Sequence, residues 1–143
     1  MTDWTETLER PVAAAEHGVA AVDEHFASTH DGPLTFDAID YPAAQVVVDT
    51  VERADPTSWQ HSIATMLYFE WDRGATTRET IIHRVAAVIE ATLTAFRGAD
   101  CITDYHPSRV DFFSGEPQGS LVLAVSIQFQ TRTLVDPGTF GDE

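Results

Sequence analysis

The run SIATMLYFEW at residues 62–71 decides how the rest of the chain is read. Ile63, Leu67, Phe69 and Trp71 fall on its odd positions. A period of two sends alternate side chains to opposite faces of a strand. A second run, residues 121–129, repeats the pattern with Leu121, Leu123, Val125, Ile127 and Phe129. Each run therefore has one apolar face that needs a cover, and the segment between them can supply it as an amphipathic helix.

That helix is well specified. Thr76 followed three residues later by Glu79 is a capping box, in which the two side chains satisfy the unpaired N–H groups at a helix start. Ile81, Ile82, Val85, Val88, Ile89, Leu93 and Phe96 then recur at helical spacing as one stripe, with Arg84 and Glu90 directed away from it. Arg97 places a positive charge on the last turn and Gly98 supplies a terminating glycine. The pattern predicts a helix over 77–97.

Working outward, residues 45–51 are β-branched and apolar, and Ala54-Asp55-Pro56-Thr57 makes a turn into a strand over 58–71. This is a first hairpin, closed at its far end by Asp72-Arg73-Gly74. After the helix, residues 101–113 read as a less regular strand. Pro107 assigns it to a sheet edge or to a strand that starts near Arg109 and runs to Phe113. The turn-rich loop holding Gly115 and Gly119 joins it to a last strand over 120–131, a second hairpin. At the other end, Leu8, Val12, Ala15, Val19, Val22 and Phe26 predict a helix over 5–27 that either begins near Arg10 or is kinked there by Pro11. Residues 28–42 read as an ordered loop whose Leu34, Phe36, Ile39 and Tyr41 lie over the core edge. The expected fold is α+β: an N-terminal helix, then two antiparallel β-hairpins flanking one amphipathic helix packed on a twisted sheet, β-β-α-β-β. It forms one domain over 1–135 with a flexible tail over 136–143.

Of the 143 residues, Asp and Glu contribute 23 and Lys and Arg only 8, a formal net charge of -15. All the basic residues are arginine. Such a chain repels nucleic-acid phosphates and anionic membranes, which are gripped by basic clusters. It also repels itself, a penalty that molar salt removes by shortening the Debye length to about 3 Å. The lysine-free acidic composition therefore predicts a halophilic setting, archaeal by composition. The lone Cys101 excludes an internal disulfide and is expected to be a small buried hydrophobe. No apolar stretch approaches the roughly 18 residues of a membrane span. The acidic start lacks the basic head of a secretory signal, so a soluble protein not exported by that route is expected.

Catalytic constellations are not found. Asp100, Asp104 and His106 could converge on a metal, but no HxxxH, HExxH or CxxC accompanies them, and a turn after a helix collects solvated aspartates anyway. His17 and His25 lie about two helical turns apart, too far to share a metal. His83 beside the core stripe reads as a hydrogen-bonded or exposed histidine. There is no nucleophile elbow and no phosphate loop, so catalytic, cofactor and metal sites are all expected to be absent. What remains is aromatic surface. Trp4, Trp59, Trp71, Tyr68, Phe112 and Phe113 exceed what one helix on one side of a thin sheet can cover, so some should meet a partner and others lie under the N-terminal helix.

The order of elements, with the strand SIATMLYFEWDRG, the helix ETIIHRVAAVIEATLTAFRG and the strand SLVLAVSIQFQTRTL, resembles the tail terminator (tail completion or neck) proteins of long-tailed viruses. The resemblance covers nearly the whole chain and rests on pattern and order. It implies a structural virion protein, assembled in the host cytoplasm and resident in the tail or neck. Six copies would form a ring that caps the tail tube and receives the head-completion protein, leaving a channel through which DNA passes without specific binding. The host implied is a halophilic archaeon, with the chain from its virus or provirus. The resemblance implies no enzyme activity and no cofactor. Asp72, Arg73, Gly74, Arg109, Gly115, Gly119 and Arg132 are the candidate interface residues, since hairpin tips project beyond the packed layer and arginines can pair with acidic neighbours between subunits. Alternatives are another connector component, such as a head-closure or minor tail protein, and a small-molecule-binding α+β domain with a polar pocket.

Overall fold

The computed structural model describes residues 4–22, 28–30, 42–70, 78–99, 102–116 and 121–134. In chain order these form α1 (Trp4–Ala21), β1 (Ser28–His30), β2 (Ala43–Asp55), β3 (Ser58–Glu70), α2 (Arg78–Gly98), β4 (Ile102–Gly115) and β5 (Val122–Leu134). The fold is α+β, as the alternating runs predict. Two hairpins, β2–β3 and β4–β5, are joined through α2 into one sheet of order β1-β2-β3-β5-β4. Four of these strands are antiparallel neighbours, and the short β1 adds in parallel to residues 43–45 of β2.

The two alternating runs lie side by side at the centre of the sheet. Ile63 stands opposite Phe129, Thr65 opposite Ile127, Leu67 opposite Val125 and Phe69 opposite Leu123. All these odd-numbered side chains point to the face that the helices cover. Phe96 of α2 descends onto them, its ring meeting Phe129 edge-on at 5.7 Å and Tyr105 at 5.9 Å. Val88, Val85 and Ile81 of α2 and Ala15 and Val19 of α1 complete the core. Burying each large side chain of this set contributes about 1.5–3 kcal/mol.

α1 packs chiefly on α2, and a glycine sets how closely. A Cβ on Gly18 would lie 2.6 Å from Thr92 Cα and 2.9 Å from Thr92 N. No side chain fits there, so the two helix backbones touch at this point and Thr92 is fully buried.

The structure departs from the sequence reading in several places. Pro11 lies inside α1, so the helix starts at Trp4 and not near Arg10. The ring costs α1 one backbone hydrogen bond, and the buried position of Pro11 gives it apolar contact in exchange. A turn in which Val22 N–H donates to the Val19 carbonyl at 3.1 Å closes the helix, and the expected continuation through 23–27 lies outside the described residues. Residues 28–30, expected in a loop, are β1, because the free edge of β2 offers them a backbone ladder. The four long strands run 13 or 14 residues; β3 keeps its expected bounds to within a residue, whereas β2, β4 and β5 run past theirs, since ladder pairing continues where the hydrophobic alternation stops. In α2, Ile82 leaves the stripe and is 48% exposed, while Thr92 joins it. Arg84 does not point away but lies over the Phe69 ring at 5.9 Å. The cap at Thr76, Trp71, Cys101, the loop 31–41 and the tail 136–143 lie outside the described residues.

Candidate interaction surface

β4 is the exposed edge of the sheet, where the sequence places Pro107. One of its sides is paired along its length to β5, and its other side takes no strand among the described residues. Its first half carries the devices that blunt an edge. Pro107 has no N–H to offer, the ladder bulges between Pro107 and Arg109, and Asp104, His106, Arg109 and Asp111 are charged or titratable. Asp104 and His106 approach to 3.9 Å on the exposed surface. Arg109 Nε donates to Asp111, with contacts of 2.8 Å to Oδ2 and 2.9 Å to Oδ1. Exposed pairs of this kind contribute about 0–1 kcal/mol, so their role is to hold the arginine flat along the strand.

The second half of β4 is different. Phe112 and Phe113 are 61% and 55% exposed. Phe112 is opposite Val125 and so lies on the helix side, whereas Phe113 is opposite Ala124 and lies on the bare side. Beside Phe112 an apolar hollow of about 340 Å³ opens between Arg78, Ile81 and Ile82 of α2 and Leu123 of β5. Beside Phe113 a second hollow of about 440 Å³ opens over Tyr68, Val122 and Ala124. Apolar surface thus wraps around this stretch of the edge from one face to the other.

The bare face of the sheet changes character along its length. At the end near Phe113, Ala43, Tyr68 and Val122 form a second small buried cluster with Met66 and Ala124 against it. Toward the other end it is a polar ladder. Gln60 Nε2 donates to Gln130 Oε1 at 3.1 Å, Gln130 Nε2 donates to Ser62 Oγ at 3.1 Å, and Gln128 Nε2 donates to Asp49 Oδ2 at 3.5 Å. Arg132 stands on this face between Gln60 and Asp104.

Beneath the helices the core itself turns polar at the Ser58 end. His61 is fully buried, and its Nε2 lies 3.0 Å from the carbonyl oxygen of Leu8 in α1. A carbonyl can only accept, so the proton sits on Nε2 and Nδ1 is left as an acceptor with no partner. Burial lowers the pKa of His61 below its ordinary 6.5, with the Leu8 hydrogen bond opposing in part. The hydroxyls of Thr131, opposite His61, and of Thr133, two residues further along β5, are buried without a hydrogen bond. Sequence reading missed this corner because a histidine on the apolar parity of a strand differs in no local signal from one on the polar parity.

Of the sequence-derived interface residues, Arg109 and Gly115 lie on the β4 edge and Arg132 on the bare face. Asp72, Arg73, Gly74 and Gly119 lie outside the described residues, as does Asp100. Among the described residues no three His, Cys, Asp or Glu side chains come together as a metal site, and no helix is long and apolar enough to cross a membrane. His83 is exposed, 3.7 Å from Glu79. No family model and no curated protein matches this chain.

Proposed function

We propose that this chain is a ring-forming structural protein of a tailed virus, the terminator that caps the tail tube and joins it to the head-completion complex. The observation that carries the reading is the β4 edge. Adjacent phenylalanines exposed on opposite faces of a long strand, whose outer side takes no strand among the described residues, make a surface suited to lateral association. The two edges open to a neighbour, the outer side of β4 and the stretch of β2 that runs beyond the short outermost β1, differ in sequence, so association through them is head to tail, and a head-to-tail contact that closes gives a ring. A six-fold ring, as the resemblance implies, places one sheet face toward an axial channel. The bare face suits it, with glutamine and serine ladders and with Asp49, Glu52, Asp104 and Asp111 outnumbering Arg109 and Arg132, a balance that repels a passing phosphate backbone. Growth of a tube stops when the last ring presents a different outer surface, and no catalytic group is needed for that. The net charge of -15 fits an origin in a salt-loaded cytoplasm, that of a halophilic archaeal host.

The test is assembly in molar KCl. Light scattering should give a closed oligomer of six chains, and electron microscopy should show it seated on the ends of tubes built from the cognate tube protein. A stable monomer or dimer that leaves tube ends bare refutes the reading. Hexamers that ignore the tube but bind a head-completion ring would instead move the chain to a neighbouring connector position.

A further inference from the structure

We propose that neighbouring copies join by extending the sheet, the outer edge of β4 in one copy pairing antiparallel with the outer edge of β2 in the next. The inference rests on the ring reading and says which backbone atoms make the ring. A helix or loop laid on one side of the sheet could cover Phe112 or Phe113 but not both, because they face opposite ways. A strand added at the edge reaches both faces at once, and its main-chain ladder uses the free N–H and C=O groups of β4. The second copy supplies a matching strand. β1 pairs only with residues 43–45 of β2, so residues 46–55 have an open outer edge among the described residues.

Direction and register both follow from the sheet. β2 runs antiparallel to β3, and β3 and β4 both run antiparallel to β5, so β4 runs opposite to β2. A rotation about an axis along the strands keeps that sense and keeps the helices on one side. It therefore brings β4 antiparallel to β2 of the next copy, with like faces aligned. One register satisfies the side chains. Phe113 sets against Val47 on the bare face and Phe112 against Val48, itself 39% exposed, on the helix face. Four ladder steps further along, Arg109 meets Glu52, both exposed on the bare face, because the bulge at Asp49 in β2 absorbs the one extra residue of that strand. Apolar groups meet apolar groups and opposite charges meet in the same alignment. Beyond it, Pro107 and the β4 bulge end the ladder.

Two measurements on the full chain in molar KCl test this. First, Val47→Cys and Phe113→Cys are placed together in a Cys101→Ser chain. Oxidation should link copies into a ladder of multimers ending at the ring, while either cysteine alone links nothing. Second, Arg109→Glu and Glu52→Arg should each raise the concentration for half-assembly several-fold, and the double exchange should restore it. Both positions are exposed, so folding is not at risk. Rings that persist with no cross-link and no response to the charge exchange overturn the edge pairing and leave the ring reading standing. A wild-type chain that stays monomeric at high concentration overturns both.

Discussion

Replacing Gly18 by alanine is a sharp test of the helix layer because two well-measured effects oppose each other there. Alanine is the better helix former by about 0.8–1.0 kcal/mol, so on an isolated helix the change stabilises. In this protein the new methyl carbon would stand 2.6 Å from Thr92 Cα, 2.7 Å from Thr92 Oγ1 and 2.9 Å from Thr92 N. Two of those three atoms are backbone, so no rotamer change relieves the clash. α1 must lift off α2 by several tenths of an ångström, loosening Ala14, Ala15 and Val19 along the same seam. Overpacking of this kind costs about 1–3 kcal/mol, and after the propensity gain the net loss is about 1 kcal/mol. For a domain of this size that lowers Tm by about 2–4 °C. Gly18→Val adds two further carbons and a β-branch and should lose about 3 kcal/mol or more. The assay is thermal and urea unfolding at fixed molar KCl, with the exposed Ala20→Gly as a control that reports propensity alone. A Gly18→Ala chain as stable as wild type or more so would refute the close helix contact.

His61 makes stability pH-dependent with a definite sign. Its folded pKa lies below 6.5, so as pH falls through 6.5 the unfolded chain takes up a proton that the folded chain refuses, and stability drops. For one proton the slope is bounded by about 1.4 kcal/mol per pH unit, and it vanishes again below the folded pKa. Unfolding measured between neutral pH and pH about 5 should show a steeper loss of stability in wild type than in His61→Gln. Phe96→Ala removes the ring that joins Phe129 and Tyr105 and should cost about 3–5 kcal/mol by urea titration, with the cavity unfilled by its neighbours. Raising KCl from about 0.1 M to about 1 M should increase the urea midpoint, since it removes self-repulsion among the charges. A midpoint insensitive to salt would sink the halophilic reading.

The class of fold, the two hairpins and the covering helix were legible in the chain because each rests on local chemistry. The odd-position alternation of 62–71 and 121–129 sets which side chains share a face, and a one-residue slip would bury the wrong set. The helical stripe ending at Arg97 and Gly98 fixes α2 to within a residue of its observed bounds. Pro107 left two readings, a sheet edge or a strand entry near Arg109, and the structure takes the first, because a missing N–H is tolerated inside a strand only where one side is unpaired. The acidic, lysine-free surface was likewise visible from composition alone.

Other features belong to the tertiary structure, since they depend on what lies across a gap from a residue and not on what lies beside it in the chain. Thr92 and Gly18 read as an unremarkable threonine and a helix interruption until α1 crosses α2 there. Ile82 fits the apolar stripe, yet it is left 48% exposed, lining an open hollow with Phe112 and Leu123. The candidate interface was only partly legible for the same reason. Arg109 and the surplus aromatic surface could be picked out, but Val47, Val48 and Glu52 became edge residues only when the crossover through α2 put β5 beside β3, leaving β4 at one edge and β2, covered by β1 only at residues 43–45, at the other. Side-chain alternation encodes faces, whereas the order of strands is set by long-range packing, and edges exist only once that order is chosen.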